Sequence, residues 1–329
     1  MRLTEIENEE MINRNATPSI NGWFFQISAG MFLFLRDIAH NKSLKIEGAN
    51  EDIEIETDDG LVYAQAKCIY DINSRTTVYS HYKKALDSLK DNKDKSIKLV
   101  YISNIEDPFN DGEEKYYCID SEFSFEQLKA KTQSKIRGIL GDDFDYTKLD
   151  IIIKHFYGSE DSKKKMLLEQ ISKFLIESVG DDAYRNAIYN KLITDGLINA
   201  SDRRYFTTKS KFIFSMVLPY LENVRKAEEE IADDPDSYDE AIENYQLFLG
   251  SLEADYGNIS KILADYRMEK EKQSLSIPQY TIAFSERFID LIPNNFSEQV
   301  RKELSRILVY RVLKQHHNLE KVKKVANIQ

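Results

Sequence analysis

The sequence predicts an α/β N-terminal domain with a mixed sheet flanked by helices, followed by a mostly α-helical C-terminal domain. Between residues 44 and 103 the chain shows short runs that alternate polar and apolar residues, or are apolar throughout, as strands do. Helical spacing frames these runs from Trp23 to Ala39 and from Thr77 to Leu89. After the polar break Gly158-Ser159-Glu160-Asp161-Ser162 the pattern is helical almost throughout, which divides the chain into 1–158 and 159–329.

Composition supports a folded chain and restricts its partners. Its 329 residues suffice for two domains, and 42% hydrophobic with 11% aromatic residues indicates a packed core despite 31% charged residues. A net charge of -11 excludes a protein whose whole surface attracts nucleic acid; a local basic groove, a bound cation or a partner's charge stays open. Only Cys68 and Cys118 occur, with no metal-ligand spacing, which fits a reducing compartment. The chain opens with Glu5, Glu7, Glu9 and Glu10 rather than a basic and then apolar run, and no apolar segment has the length of a bilayer span. The expected location is cytoplasmic, with no membrane partner.

Met1 to Thr17 reads as a polar lead. In the helix that follows, Phe24, Ile27, Met31, Phe34, Leu35 and Ile38 recur at helical spacing, so it is expected to be buried over most of its circumference. Trp23 and the phenylalanines are accordingly expected in the core rather than stacked on bases, and Gln26 is the polar exception. Leu44 to Glu47 is a short strand. Asp52 to Glu56 and Leu61 to Tyr70 form a hairpin through Asp58-Asp59-Gly60, because Asp and Gly tolerate the positive φ angles of tight turns. A loop of Asp58-Asp59 sets Asp52 opposite Gln65, and a loop of Asp59-Gly60 sets it opposite Lys67. Either register gathers Asp52, Gln65 and Lys67 on one face.

The next helix carries Tyr82, Ala85, Leu86 and Leu89, and the apolar run Ile97 to Ser103 is expected as a central strand. Lys83, Lys84, Lys90, Lys93, Lys95 and Lys98 surround this helix, interleaved with Asp87, Asp91 and Asp94, and are expected as a solvated face. Tyr116 to Ile119 and Leu149 to Phe156 read as two further strands with a helix from about Phe123 to Leu140 between them. His155 is expected as a satisfied histidine at a strand end.

In the second half, helices are expected over Lys165–Val179, Tyr184–Ile193, Phe212–Ile231, Tyr238–Arg267, Tyr280–Ile292 and Ser297–Gln315, broken at Asp234-Pro235, Ser276-Ile277-Pro278 and Pro293-Asn294. Leu192 to Ile198 followed by Arg203 to Thr208 suggests the helix, strand and wing of a winged-helix part, suited to DNA through Arg203 and Arg204 or to protein docking. The lysines and histidines from Lys314 to Lys324 are expected as a solvated basic tail, since adjacent His316-His317 lacks the i, i+4 spacing of a metal site.

The hairpin carries the chemistry. Asp52, the Gln65 side-chain oxygen and the Ala66 carbonyl offer the hard oxygen ligands that Mg²⁺ selects, and Lys67 suits the charge that develops on a phosphodiester. Glu47, at the end of the preceding strand, adds a ligand or a supporting contact.

Asp52 followed by Gln65-Ala66-Lys67 resembles the PD-(D/E)xK nuclease superfamily in its Q-x-K variant. Together with Gly22-Trp23-Phe24-Phe25-Gln26 and the Glu47…Glu51-Asp52 spacing, the first half is similar to the Cap4-type double-stranded-DNA endonuclease domain of bacterial anti-phage systems, including CBASS and Lamassu. The resemblance implies a restriction-endonuclease-like αβββαβ core and Mg²⁺- or Mn²⁺-dependent cleavage of DNA. It assigns catalysis to Asp52, Gln65, Lys67, Glu47 and Gln26, with metal ligands among Asp52, Gln65, Ala66 and Glu47. It also implies a homo-oligomeric active form and a sensor partner such as an SMC-like ATPase. The alternative is a non-catalytic interaction subunit that keeps the fold for binding only.

Overall fold

A computed structural model of the chain describes residues 17–69, 75–222, 231–251 and 255–328, so the polar lead lies outside the described residues. Helix α1 (Thr17–Arg36), strands β1 (Asn41–Ile46), β2 (Ile53–Thr57) and β3 (Leu61–Lys67), helix α2 (Arg75–Asp91) and strand β4 (Lys98–Ser103) follow in the expected order. Then come β5 (Ser121–Ser124), α3 (Ala130–Leu140), β6 (Leu149–Ile153) and, much later, β7 (Thr207–Thr208). They build one mixed sheet in the order β5-β6-β4-β3-β2-β1-β7. Apolar β4 lies inside it, parallel to β3 and β6, and the other neighbours are antiparallel.

Alternation along the strands divides the core. Ile53, Ile55, Ala64, Ala66, Val100 and Ile102 pack towards α1, whereas Tyr63, Leu99, Tyr101 and Ile151 pack towards α2 and α3. The hairpin takes the Asp58-Asp59 register: Glu56 pairs with Leu61, and the Thr57 N–H donates to the Gly60 carbonyl at 2.8 Å. Thr57 Oγ1 closes the loop by accepting from the N–H groups of Asp59 and Gly60, both at 3.2 Å.

Two expectations for the middle of the chain need correction. Tyr116 to Ile119 forms no strand, because its backbone is spent on turns: the N–H groups of Tyr116 and Tyr117 both donate to the Glu113 carbonyl at 2.9 Å. The strand falls later, at β5, so the helix expected from Phe123 starts only at Ala130.

The remainder is helical: α4 (Glu160–Ser178), α5 (Arg185–Ser201), α6 (Lys209–Glu222), α7 (Pro235–Ser251), α8 (Tyr256–Lys272), α9 (Ile277–Phe284), α10 (Glu298–Lys314) and α11 (His316–Val325). Tyr238 to Arg267 is two helices rather than one, since Asp255 caps α8 by accepting from the Gly257 N–H at 2.7 Å. The expected helix to Ile231 is α6 as far as Glu222, and 223–230 lie outside the described residues. The basic tail is helix α11, whose Leu319 and Val322 are buried while Lys321 and Lys324 face out. The wing is absent among the described residues: β7 is two residues long and pairs antiparallel with β1, Leu44 opposite Thr207, instead of folding into a hairpin of its own.

This pairing crosses the division expected at residue 158. One continuous cluster of buried side chains runs from Phe25 on α1 through Phe174 on α4 to Leu308 on α10. Helix α5 crosses α1 at Gly196, where an added Cβ would lie 2.5 Å from Ile27 Cγ2 and 2.9 Å from Met31 Cε; glycine there lets the two backbones approach.

Candidate active site

The site forms where β1, β2 and β3 end together. The Glu47 N–H donates to the Asp52 carbonyl at 2.8 Å, extending the β1–β2 ladder by one step and making Glu47 and Asp52 a cross-strand pair. The turn between them holds Glu47 at a φ of 54°, a left-handed conformation that costs a non-glycine residue energy.

Asp52 Oδ2 accepts from Lys67 Nζ at 2.9 Å and from the Ala66 N–H at 3.1 Å. Both side chains of this ion pair are partly exposed, so Lys67 is oriented without being sealed off. Gln26, from α1, hydrogen-bonds Glu47. Burial and the nearby Asp52 carboxylate push the Glu47 pKa up, against the pull of Lys67 and Gln26. Lys67, Ala66 and Gln26 line a shallow cleft of about 580 Å³ together with Trp23 and His81. Burial, then Lys84 and Lys67, hold the His81 pKa below its ordinary value.

Gln65 does not join this group. Its amide donates to Glu51, which is 4% exposed and also accepts from Asn92 Nδ2 at 2.8 Å and from Ser88 Oγ at 3.0 Å. Burial raises the Glu51 pKa, and these three donors oppose the rise. Beneath the exposed pair Asp52–Lys67 there is thus an enclosed cage, Glu51 with Gln65, Ser88 and Asn92, which braces the β1–β2 turn against α2. Ala66 meets Asp52 through its N–H. Sequence reading gathered Asp52, Gln65 and Lys67 on one face, with Glu47 and Gln26 as additions; the structure brings Asp52, Lys67, Glu47 and Gln26 together and commits the Gln65 amide to Glu51. Sequence reading missed the cage and His81, for which no local pattern gave a signal.

Among the described residues no group of three His, Cys, Asp or Glu side chains is arranged to hold a metal ion. The donor chemistry nevertheless fits a divalent cation. Two carboxylates directly opposite on a ladder repel one another; Lys67 pairs with Asp52, and it and the more weakly felt Lys45 draw the Glu47 pKa down without offsetting burial and the Asp52 charge. The remaining negative charge is what a hard cation with carboxylate ligands relieves.

Other candidates are accounted for structurally. His155 Nε2 contacts the Tyr157 carbonyl at 3.0 Å and the ring packs on Tyr157, as expected of a satisfied histidine. Lys93 pairs with Asp143 and Lys98 with Asp150, so part of the lysine-rich face is neutralised locally. Trp23 and Phe24 depart from expectation: each is 38% exposed, and the buried face of α1 begins at Phe25. No helix among the described residues is long and apolar enough to cross a membrane. Set against family models, curated proteins and solved structures, the chain matches none of them.

Proposed function

We propose that the chain is a metal-dependent endodeoxyribonuclease of the PD-(D/E)xK type, a cytoplasmic effector of bacterial anti-phage defence that hydrolyses double-stranded DNA. The observation that supports this most is the Lys67–Asp52 pair at 2.9 Å, opposite Glu47 and open to a cleft. Glu47, Asp52 and the Ala66 carbonyl would hold Mg²⁺ or Mn²⁺, which supplies Lewis-acid polarisation of the phosphodiester and a more acidic water. Lys67, aimed by Asp52, stabilises the negative charge that develops on the phosphate oxygens. Gln26 fixes the Glu47 carboxylate, and neutral His81 in the same cleft is available to take a proton.

At a net charge of -11 a single chain repels a duplex, whose phosphates supply most non-specific affinity, so DNA is engaged in a complex with a sensor such as an SMC-like ATPase; cutting both strands needs two sites, and the chain has one D…QxK triple, so the active form holds at least two copies. A second reading, a binding-only subunit on the same fold, draws on one observation: Gln65 is turned to Glu51, away from the proposed ligands. Cleavage of supercoiled plasmid decides between them. The nuclease converts it with Mg²⁺ but not with EDTA, and Lys67→Ala converts it about 10²-fold more slowly or not at all with Mg²⁺. Equal conversion by parent and variant overturns the proposal.

A further inference from the structure

On the other side of Trp23 from Lys67 lies a second cleft, of about 570 Å³, between the β1–β2 turn and the loop after α5. Trp23 and Glu47 line it on one side and Arg203 and Phe206 on the other, with Lys45 and Glu54 at its floor. Trp23 is 38% exposed and Phe206 50%, although both are large apolar side chains.

The charges identify the class of ligand. Two cations, Lys45 and Arg203, meet two carboxylates, Glu47 and Glu54, so the cleft has no net attraction for a phosphate. Lys45 is further committed: it is 3% exposed, and its ammonium donates to the Asn199 and Asp202 carbonyls. Glu54 is turned back over the β1–β2 turn and accepts from the Asn50 N–H at 2.6 Å. That position exists only because residue 48 is glycine, since a Cβ there would lie 2.3 Å from the Glu54 Cδ. What remains open is aromatic surface with one exposed guanidinium and one exposed carboxylate, Arg203 and Glu47, whose charges cancel; aromatic rings and a guanidinium together stack on a neutral π-face.

We propose that this cleft takes one unpaired base of the DNA strand whose phosphate is presented to Lys67. The inference rests on the nuclease reading for its orientation, through Trp23 and Glu47, which border both the cleft and the site. A base drawn out of the duplex leaves its neighbouring phosphate exposed beside the Asp52–Lys67 pair, and Trp23 and Phe206 replace the stacking that the base gives up.

The test needs no catalysis. Trp23 is the only tryptophan of the chain, so fluorescence excited beyond tyrosine absorption reports on the two clefts it borders, and Phe206, which lines only the second, tells them apart. Full-length protein in EDTA is titrated with a short single-stranded oligodeoxynucleotide, with an oligonucleotide of equal length made wholly of abasic sites, and with a free deoxynucleotide. The expected result is saturable quenching by the first, with affinity at least about tenfold weaker for the other two and for Phe206→Ala, the scale of one lost stacking contact. Phe206 is half exposed, so this variant keeps the fold, which circular dichroism checks. No quenching by the oligonucleotide, or equal binding of the abasic strand, overturns the base cleft even if plasmid is cleaved. Equal binding of the free nucleotide overturns the link to a strand. Quenching as expected, with plasmid converted equally by the parent and Lys67→Ala, would uphold the cleft and defeat the nuclease reading.

Discussion

Replacing Asn199 by alanine should cost more stability than any other single polar truncation between the sheet and the helices. The residue is 0% exposed and stitches three elements together. Its Oδ1 accepts from the Ile46 N–H at 2.7 Å, and its Nδ2 donates to the Leu44 carbonyl and to Thr207 Oγ1, both at 2.8 Å. Leu44 and Ile46 are themselves fully buried, so their freed backbone groups have no water to turn to. A buried polar group left without a partner costs about 1–3 kcal/mol, and two such groups put the loss at about 2–6 kcal/mol. Asn199→Asp should fare no better, because a carboxylate keeps the acceptor for Ile46 and loses both donors. Urea unfolding followed by circular dichroism reads the difference at constant slope. A loss below about 1 kcal/mol would refute the reasoning, since the stitch would then be replaceable by solvent or by local relaxation.

Lys67→Ala should lower Mg²⁺-dependent cleavage about 10²-fold or more with unfolding unchanged, as measured by plasmid conversion and urea titration side by side. Asp52→Ala should in addition weaken Mg²⁺ binding in calorimetric titration, because it removes a carboxylate and frees the lysine. Burial pushes the Cys68 thiol up to about 11. Roughly one Cys68 thiol in a thousand is then ionised near pH 8, so iodoacetamide should modify exposed Cys118 alone, with a single adduct by mass spectrometry. A fragment ending at Gly158 should fail to give a soluble, cooperatively folding domain, because α1 loses the cover of α4 and α5 and β1 loses β7. A sharp unfolding transition for that fragment would contradict the shared core.

The parts of the fold that short-range chemistry determines were readable from the sequence. The Asp58-Asp59-Gly60 turn limited the hairpin to two registers, and the apolar run of β4 placed it inside the sheet. What was not readable depends on residues far apart in the chain. Glu51 entered the sequence reading only through its spacing from Glu47 and Asp52, since its donors Ser88 and Asn92 lie 37 and 41 residues away. Helical spacing signalled burial over most of the first helix, yet it carries no information on which turn first meets the rest of the fold, and so Trp23 was assigned to the core. Thr207-Thr208 matched a wing because its partner, Ser43-Leu44, is invisible locally. The tail's lysines masked the stripe of Leu319, Val322 and Ala326 that seats it.

The joining of β7 to β1 also sets an order of events at the ribosome. Asn199 lies 155 residues beyond Leu44, so the outer edge of the sheet stays unpaired until most of the chain has emerged. The loop that carries Glu47 follows directly from this edge. A nascent or prematurely terminated chain therefore presents the Asp52–Lys67 hairpin beside an open sheet edge, to which the strand of another chain can add.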